Sequence, residues 1–428
     1  MILLVYTSTA DKDLIKKLGC REYSYRFVIR EFMPLLQEFG KVIDISHPEK
    51  EVDVIYSSYL AQGEQCLFLC FMPPGKTPIR LRCPTIPVFA WEYDILPSEP
   101  FRGRPRNDWT RVLARLGTAI THSSFVVEST KDLLGQNFPI ASIPAPLWDR
   151  MQHPRDTPIN PPCLTLQGLI IDSRKIELSS YTRTALKATP AHEMHVLAEP
   201  ATEAVTIALE GIVYTAIFNP HDGRKNWRIM ISAFCEALRN KDDATLLIKL
   251  THHDANQVLP AMLQQIYQMG QLKCRVLLIH AYLSDKTYGE LISCTTYTLN
   301  TSHGEGQCLP LMEYMSSGIP AVAPRHTSML DYIDDHCAFV VESSAEISCW
   351  PHDPRQVFRT LRQRIHHDSL VNAFRTSYYV AKYEPGTYGY MSQSARQSLK
   401  RYCSMDVARS RFRQLLSARL AKPTMEIA

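Results

Sequence analysis

At 428 residues the chain is too long for one small core; at roughly 100–200 residues per domain it is sized for two or three domains. It is 45% hydrophobic and 21% charged, with 28 Pro against 17 Gly, a usage that excludes disordered, collagen-like and coiled-coil chains. The formal net charge of +4 is too small to argue for a nucleic-acid partner, and no apolar run reaches the ~18–20 residues that a membrane span needs.

Ile2–Tyr6 follows neither a basic leader nor a small-residue cleavage site, so it reads as a strand and the chain is expected to be cytoplasmic. Tyr25–Phe39 has apolar residues at helical spacing. Strands are expected at Lys41–Ile45, Val52–Tyr56, Cys66–Phe71, Val88–Trp91 and Thr118–Thr121. Met151–Pro162 then holds four prolines in twelve positions, which excludes a long helix or a central strand.

A second series follows. Ile212–Phe218 reads as a strand and Trp227–Leu238 as a helix. Thr245–Leu250 and Leu259–Met269 repeat the pattern, and Arg275–Ile279, Tyr297–Asn300, Ala321–Ala323 and Ala338–Val341 complete a second sheet. Short apolar runs alternating with helical patterns predict an α/β chain with parallel sheets, whose ligands sit outside the carboxyl ends of the strands. Three parts are expected: 1–205, 206–385 and a helical segment 386–428. Pro385, Gly386 and Gly389 are expected to break regular structure, and Ser392–Leu420 to be helical.

Twelve cysteines without CxxC spacing read as reduced thiols. Two segments are basic. Phe101–Arg115 carries five arginines against Asp108, and Met391 onward carries eight Lys/Arg against two acids. Either is a solvated face, or it suits an anionic lipid surface or a phosphate-bearing acceptor.

The chemistry concentrates in Thr301–Pro324, TSHGEGQCLPLMEYMSSGIPAVAP. A strand end runs into a glycine-containing loop; Pro310 then fits the first helical position and Gly318 the position past the helix end. The amides at that helix start, backed by the helix dipole, suit a phosphate. Glu305 in the loop and Glu313 on the helix suit sugar hydroxyls as fixed acceptors.

Glu305-x7-Glu313 in its EGxxLPLxE context, followed by SxGxPAVAP, resembles the retaining family-four glycosyltransferases of the GT-B fold. Asn219-Pro220-His221-Asp222-Gly223-Arg224-Lys225 stands where that family has a basic diphosphate clamp. His280-Ala281-Tyr282-Leu283 stands where it meets the base. The resemblance implies two Rossmann-like domains facing each other across a cleft, with a C-terminal helix crossing back. It implies that Glu313 holds the ribose and Glu305 the donor sugar. Gly306, Gln307, Cys308 and Leu309 would line sugar and phosphate, with Asn219 and Tyr282 also in the donor site, and Lys225 with Arg224 would neutralise the leaving diphosphate. Two features differ: Asn219-Pro220 replaces the usual Arg ahead of the Lys, and Gln307-Cys308 replaces Phe-Gly. Glu92, at a first-half strand end, is the candidate acceptor-orienting group or base; His122 is a weaker one that reads first as an ordinary buried histidine.

The implied activity is retaining transfer of a sugar from a nucleotide-diphosphate donor to an acceptor hydroxyl of a glycan or glycolipid, without metal or other cofactor. The expected setting is cell-surface polysaccharide or glycolipid synthesis. A GT-B nucleotide-sugar epimerase and a catalytically silent sugar-binding subunit are the alternatives. Asp11-Lys12-Asp13 is a literal DxD in the wrong context, and His192-Glu193-Met194-His195 lacks zinc-protease spacing. No P-loop, GxSxG or dinucleotide fingerprint is present.

Overall fold

Residues 1–9, 18–19, 22–152, 162–176, 203–351 and 353–420 are described by a computed structural model of the chain. Asp11–Asp13, His192–His195 and most of the Pro-rich stretch lie outside them.

The first half alternates β1 (Ile2–Tyr6), α1 (Ser24–Phe39), β2 (Lys41–Asp44), α2 (Pro48–Leu60), β3 (Cys66–Cys70) and β4 (Thr85–Phe89). It continues with α3 (Trp109–Leu116), β5 (Ala119–Thr121), α4 (Ser124–Leu134), β6 (Ile140–Ser142) and α5 (Trp148–Met151). The six strands form one parallel sheet in the order β2-β1-β3-β4-β5-β6.

Two expectations fail here for local reasons. Val52–Tyr56 is not a strand but the middle of α2. Pro48 starts that helix, and Glu51 reaches back to accept from the amides of His47 (2.7 Å) and Ser46 (3.3 Å), leaving Val54 in solvent. The strand expected at Val88–Trp91 runs earlier and stops at Phe89. The Ala90 amide leaves the ladder to donate to the Tyr25 hydroxyl (3.1 Å), which turns Ala90–Asp94 out into a loop.

The second half contains β7 (Cys163–Leu166), β8 (Leu169–Asp172), β9 (Val205–Ala208), β10 (Ile212–Phe218), α6 (Trp227–Leu238), β11 (Ala244–Leu250) and α7 (Leu259–Gln268). Next come β12 (Arg275–His280), α8 (Asp285–Ser293), β13 (Tyr297–Leu299), α9 (Leu309–Ser316), β14 (Ala321–Pro324) and β15 (Ala338–Val341). Its main sheet has the order β15-β14-β13-β10-β11-β12-β8, parallel except for β8, which pairs antiparallel with β12. Leu169–Asp172, which the expected division at 205 puts in the first part, is thus the edge strand of the second sheet, while Cys163–Leu166 pairs with β9 in a separate two-stranded sheet. Between β10 and β13 the strand order reverses, the switch point at which α/β sheets open a crevice.

Two further features join the halves. A hairpin of β16 (Ser343–Cys349) and β17 (Arg359–Ile365), not foreseen in the sequence, reaches the first half: Asp94 accepts from the Thr360 hydroxyl (2.6 Å) and the Leu361 amide (2.8 Å), and Trp350 meets Trp91 at 5.6 Å. The chain then runs through α10 (His367–Tyr383), α11 (Pro385–Cys403) and α12 (Met405–Leu420). Regular structure breaks on this approach at Glu384, between α10 and α11, whereas Gly386 and Gly389 lie inside α11. Pro385 opens α11 at its first position, where its missing N–H is harmless. Ala395 and Leu399 of α11 pack with Leu311 and Met312 of the second half. Ala408, Phe412 and Leu415 of α12 pack with Leu3, Val5 and Ile29 of the first, so the C-terminal segment does cross back. No helix among the described residues is long and apolar enough to cross a membrane, and the eleven cysteines described are free thiols.

Candidate active site

A cavity of about 1910 Å³ lies between the halves, at the carboxyl ends of both sheets. All the residues expected at the site line it: Glu92, Asn219, Arg224, Lys225, Tyr282, Glu305, Gly306, Gln307, Cys308, Leu309 and Glu313.

Glu305 is its electrostatic centre. It follows β13 in the loop before α9, and its side chain is 4% exposed. Its Oε1 accepts from Lys225 Nζ (2.6 Å), Ser302 Oγ (2.5 Å) and Asn300 Nδ2 (3.0 Å), and its Oε2 from Arg224 (3.0 Å). Burial alone would raise its pKa, but Lys225 and Arg224 outweigh burial and hold the carboxyl well below the usual carboxylate range. Arg224 also pairs with Asp222 (2.9 Å), donates to the Gly304 carbonyl, and reaches Glu92 of the first half at 3.4 Å. Burial raises the pKa of Glu92, offset in part by the Arg224 charge.

The loop could not approach the first half with larger residues. A Cβ on Gly304 would stand 2.7 Å from the Glu92 carbonyl oxygen, and one on Gly306 2.9 Å from Ala90 Cβ. Glycine at these two positions lets the donor-side loop touch the end of β4. Beyond it, Cys308 takes a left-handed φ of 63° and Pro310 lies in the first turn of α9, and Cys308, Leu309 and Pro310 at the start of that helix line the cavity.

Glu313 lies on α9, 14% exposed, and already has two partners: Tyr288 donates to it (2.6 Å), and Arg150 lies 3.3 Å away. Burial raises its pKa, against the pull of Tyr288 and Arg150. Asn219 uses its side-chain amide on protein partners, donating to the Gly19 carbonyl (2.9 Å) and accepting from the His221 amide (3.0 Å). Gln307 is 5% exposed, and neither of its amide atoms has a hydrogen-bond partner among the described residues. Tyr282 is 52% exposed on the cavity rim. His122 is fully buried beside Phe32, with Nδ1 2.9 Å from the Ile143 carbonyl; burial pushes its pKa down to about 4, and it is a core residue.

Sequence reasoning missed Asn300, Ser302, Tyr288 and Arg150. The first two carried a signal, being polar residues at a strand end beside Glu305. Arg150 carried none, because its partners are 119 and 163 residues away. The first-half wall of the cavity includes Trp91, Trp109, Arg102, Arg104 and Arg106, so the arginine-rich segment faces the cleft. Among the described residues no group of three or more His, Cys, Asp or Glu stands ready for a metal ion.

No family model matches the chain, and no curated protein matches its sequence. Solved structures do match over its length. A sucrose-phosphate synthase from Thermosynechococcus elongatus aligns at TM-score 0.58 and 12% identity, covering 98% of this chain and 99% of its own. A glycosyltransferase from Rickettsia africae aligns at 0.56 and 11%, covering 99% of each chain. HepE from Anabaena, solved with UDP and glucose, aligns at 0.54 and 11%, covering 97% and 99%. The two facing α/β halves, the cleft between them and the returning C-terminal helices are the GT-B fold.

Proposed function

We propose that the protein is a retaining, metal-independent glycosyltransferase that moves a sugar from a nucleotide-diphosphate donor to an acceptor hydroxyl, in cell-surface polysaccharide or glycolipid synthesis. The observation that carries this reading is the Glu305–Lys225–Arg224 cluster beside the start of α9. A lysine, an arginine and a helix N-terminus converging in one cleft suit a diphosphate, and the ionised Glu305 keeps both cations in place until it arrives. The crystallisation of HepE, which shares the fold, with UDP and glucose supports the same class of donor.

As the glycosidic bond breaks, charge builds on the leaving diphosphate. Lys225, Arg224 and the α9 amides would stabilise it. Glu313 would take the ribose hydroxyls and Glu305 a sugar hydroxyl through Oε2, which among the described residues accepts from Arg224 alone. Glu92, held beside Arg224, would orient the acceptor. The Arg102, Arg104 and Arg106 wall suits an acceptor that carries phosphate or another anion.

The test is thermal-shift screening of nucleotide sugars, followed by a crystal soaked with the donor that binds. The reading predicts one donor that stabilises the protein, an effect lost in Glu313→Ala, with its diphosphate at the α9 start. A nucleotide located away from residues 305 and 313 would refute it.

A further inference from the structure

An interior strand of the donor-half sheet, β11, contains one charged residue. β11 reads Ala244-Thr245-Leu246-Leu247-Ile248-Lys249-Leu250, and every residue is buried. Lys249 is 7% exposed, lines the cavity, and has no hydrogen bond or ion pair among the described residues. An ammonium so placed is desolvated without a Coulombic return, so as a packing element it is inferior to Leu or Met. Burial pushes its pKa down to about 8, which still leaves it a donor at neutral pH. The position makes physical sense if a ligand completes it.

The surroundings narrow that ligand. In register, Lys249 stands between Ile217 of β10 and Ile279 of β12, on the face shared with Leu247. The cavity wall beyond those strand ends is formed by Ile217, Tyr282, Leu283, Tyr288 and Ile292. These residues come from the end of β10, the turn after β12 and α8, whereas Arg224 and Lys225 follow β10 and Glu305 follows β13. A largely apolar region in which Lys249 is the one charged donor, with the Thr251 hydroxyl beside it at the same strand end, suits a heterocyclic base; a diphosphate calls for the several charged donors at the other end.

We propose that Lys249 reads the nucleobase: its ammonium donates to an exocyclic carbonyl oxygen, favouring keto bases over bases with an amino group at the same edge. Uracil is thereby preferred to cytosine, or guanine to adenine. The assignment rests on the donor reading of the cleft and adds to it the class of nucleotide.

Titration calorimetry with UDP, CDP, GDP, ADP and inorganic pyrophosphate, on the intact protein and on Lys249→Met, tests it. The intact protein should bind one keto nucleotide about tenfold or more tighter than its amino counterpart, the effect of a charge-assisted hydrogen bond. Lys249→Met should bring that ratio close to one, leave pyrophosphate unchanged, and melt no lower than the parent, which shows that it folds. Equal weakening of all four nucleotides and pyrophosphate would assign Lys249 to the phosphates and overturn the proposal, as would an unchanged ratio. Failure of the intact protein to bind any of the nucleotides would overturn the donor reading itself, and this assignment with it.

Discussion

Arg150 Nη2 lies 3.3 Å from one Glu313 oxygen and 2.8 Å from Glu31 Oε1, so a first-half guanidinium joins a carboxylate of α9 to one of α1. Glu31 is 7% exposed and takes Arg150 through both of its oxygens. The carboxylate proposed for the ribose is therefore already engaged, and on that proposal donor binding would exchange the Arg150 contact for ribose hydroxyls.

Arg150→Met should accordingly act in opposite directions on binding and stability. Removing the competitor of the ribose should tighten donor affinity by up to about tenfold, while Glu31 loses its two hydrogen bonds from Arg150 and keeps, among the described residues, only Arg30 at 3.5 Å, a loss of about 1–2 kcal/mol. Calorimetry and urea unfolding check the two effects separately. Weaker binding in the variant would mean that Arg150 helps to hold the donor.

Glu305→Gln should destabilise the protein by about 3 kcal/mol in denaturant, because Lys225 and Arg224 then lack their shared counter-ion. The parent's pH profile follows from the same pair. The carboxyl titrates lower in the folded chain than in the unfolded one, so its contribution is complete at neutral pH. That contribution declines as pH falls below the ordinary carboxylate value of about 4.3. The difference in stability between parent and variant should therefore shrink between about pH 4.5 and more acid conditions. A difference independent of pH over that range would contradict the pairing.

Lys225→Ala should lower kcat by about 100-fold or more, as loss of one donor to a developing oxyanion does. Donor-saturated initial rates measure it. Turnover equal to that of the parent would remove Lys225 from the diphosphate clamp.

Activity should survive exhaustive chelation. Lys225, Arg224 and the α9 amides supply positive charge without a divalent ion, and the assay is transfer before and after EDTA with added Mg²⁺ as control. Loss on chelation with recovery on Mg²⁺ would return attention to Asp11 and Asp13.

The sequence by itself determined the alternating α/β plan, most second-half strands and helices, and the positions of Glu305, Glu313, Arg224 and Lys225. These are local properties: hydrophobic periodicity, proline at a helix start, and chemistry concentrated in one short loop. It misread Val52–Tyr56, because the Glu51 side chain that starts α2 outweighs a β-branched run. Tertiary structure alone decided that Leu169–Asp172 joins the second sheet, that the Ser343–Ile365 hairpin reaches Trp91, and that Arg150 reaches Glu313. It also decided that Glu305 holds both Lys225 and Arg224, and that Lys249 is a buried charge with no ion pair among the described residues. Such facts depend on pairs brought together by the closing of two sheets, and residues more than a hundred positions apart leave no periodic trace of one another in a single chain.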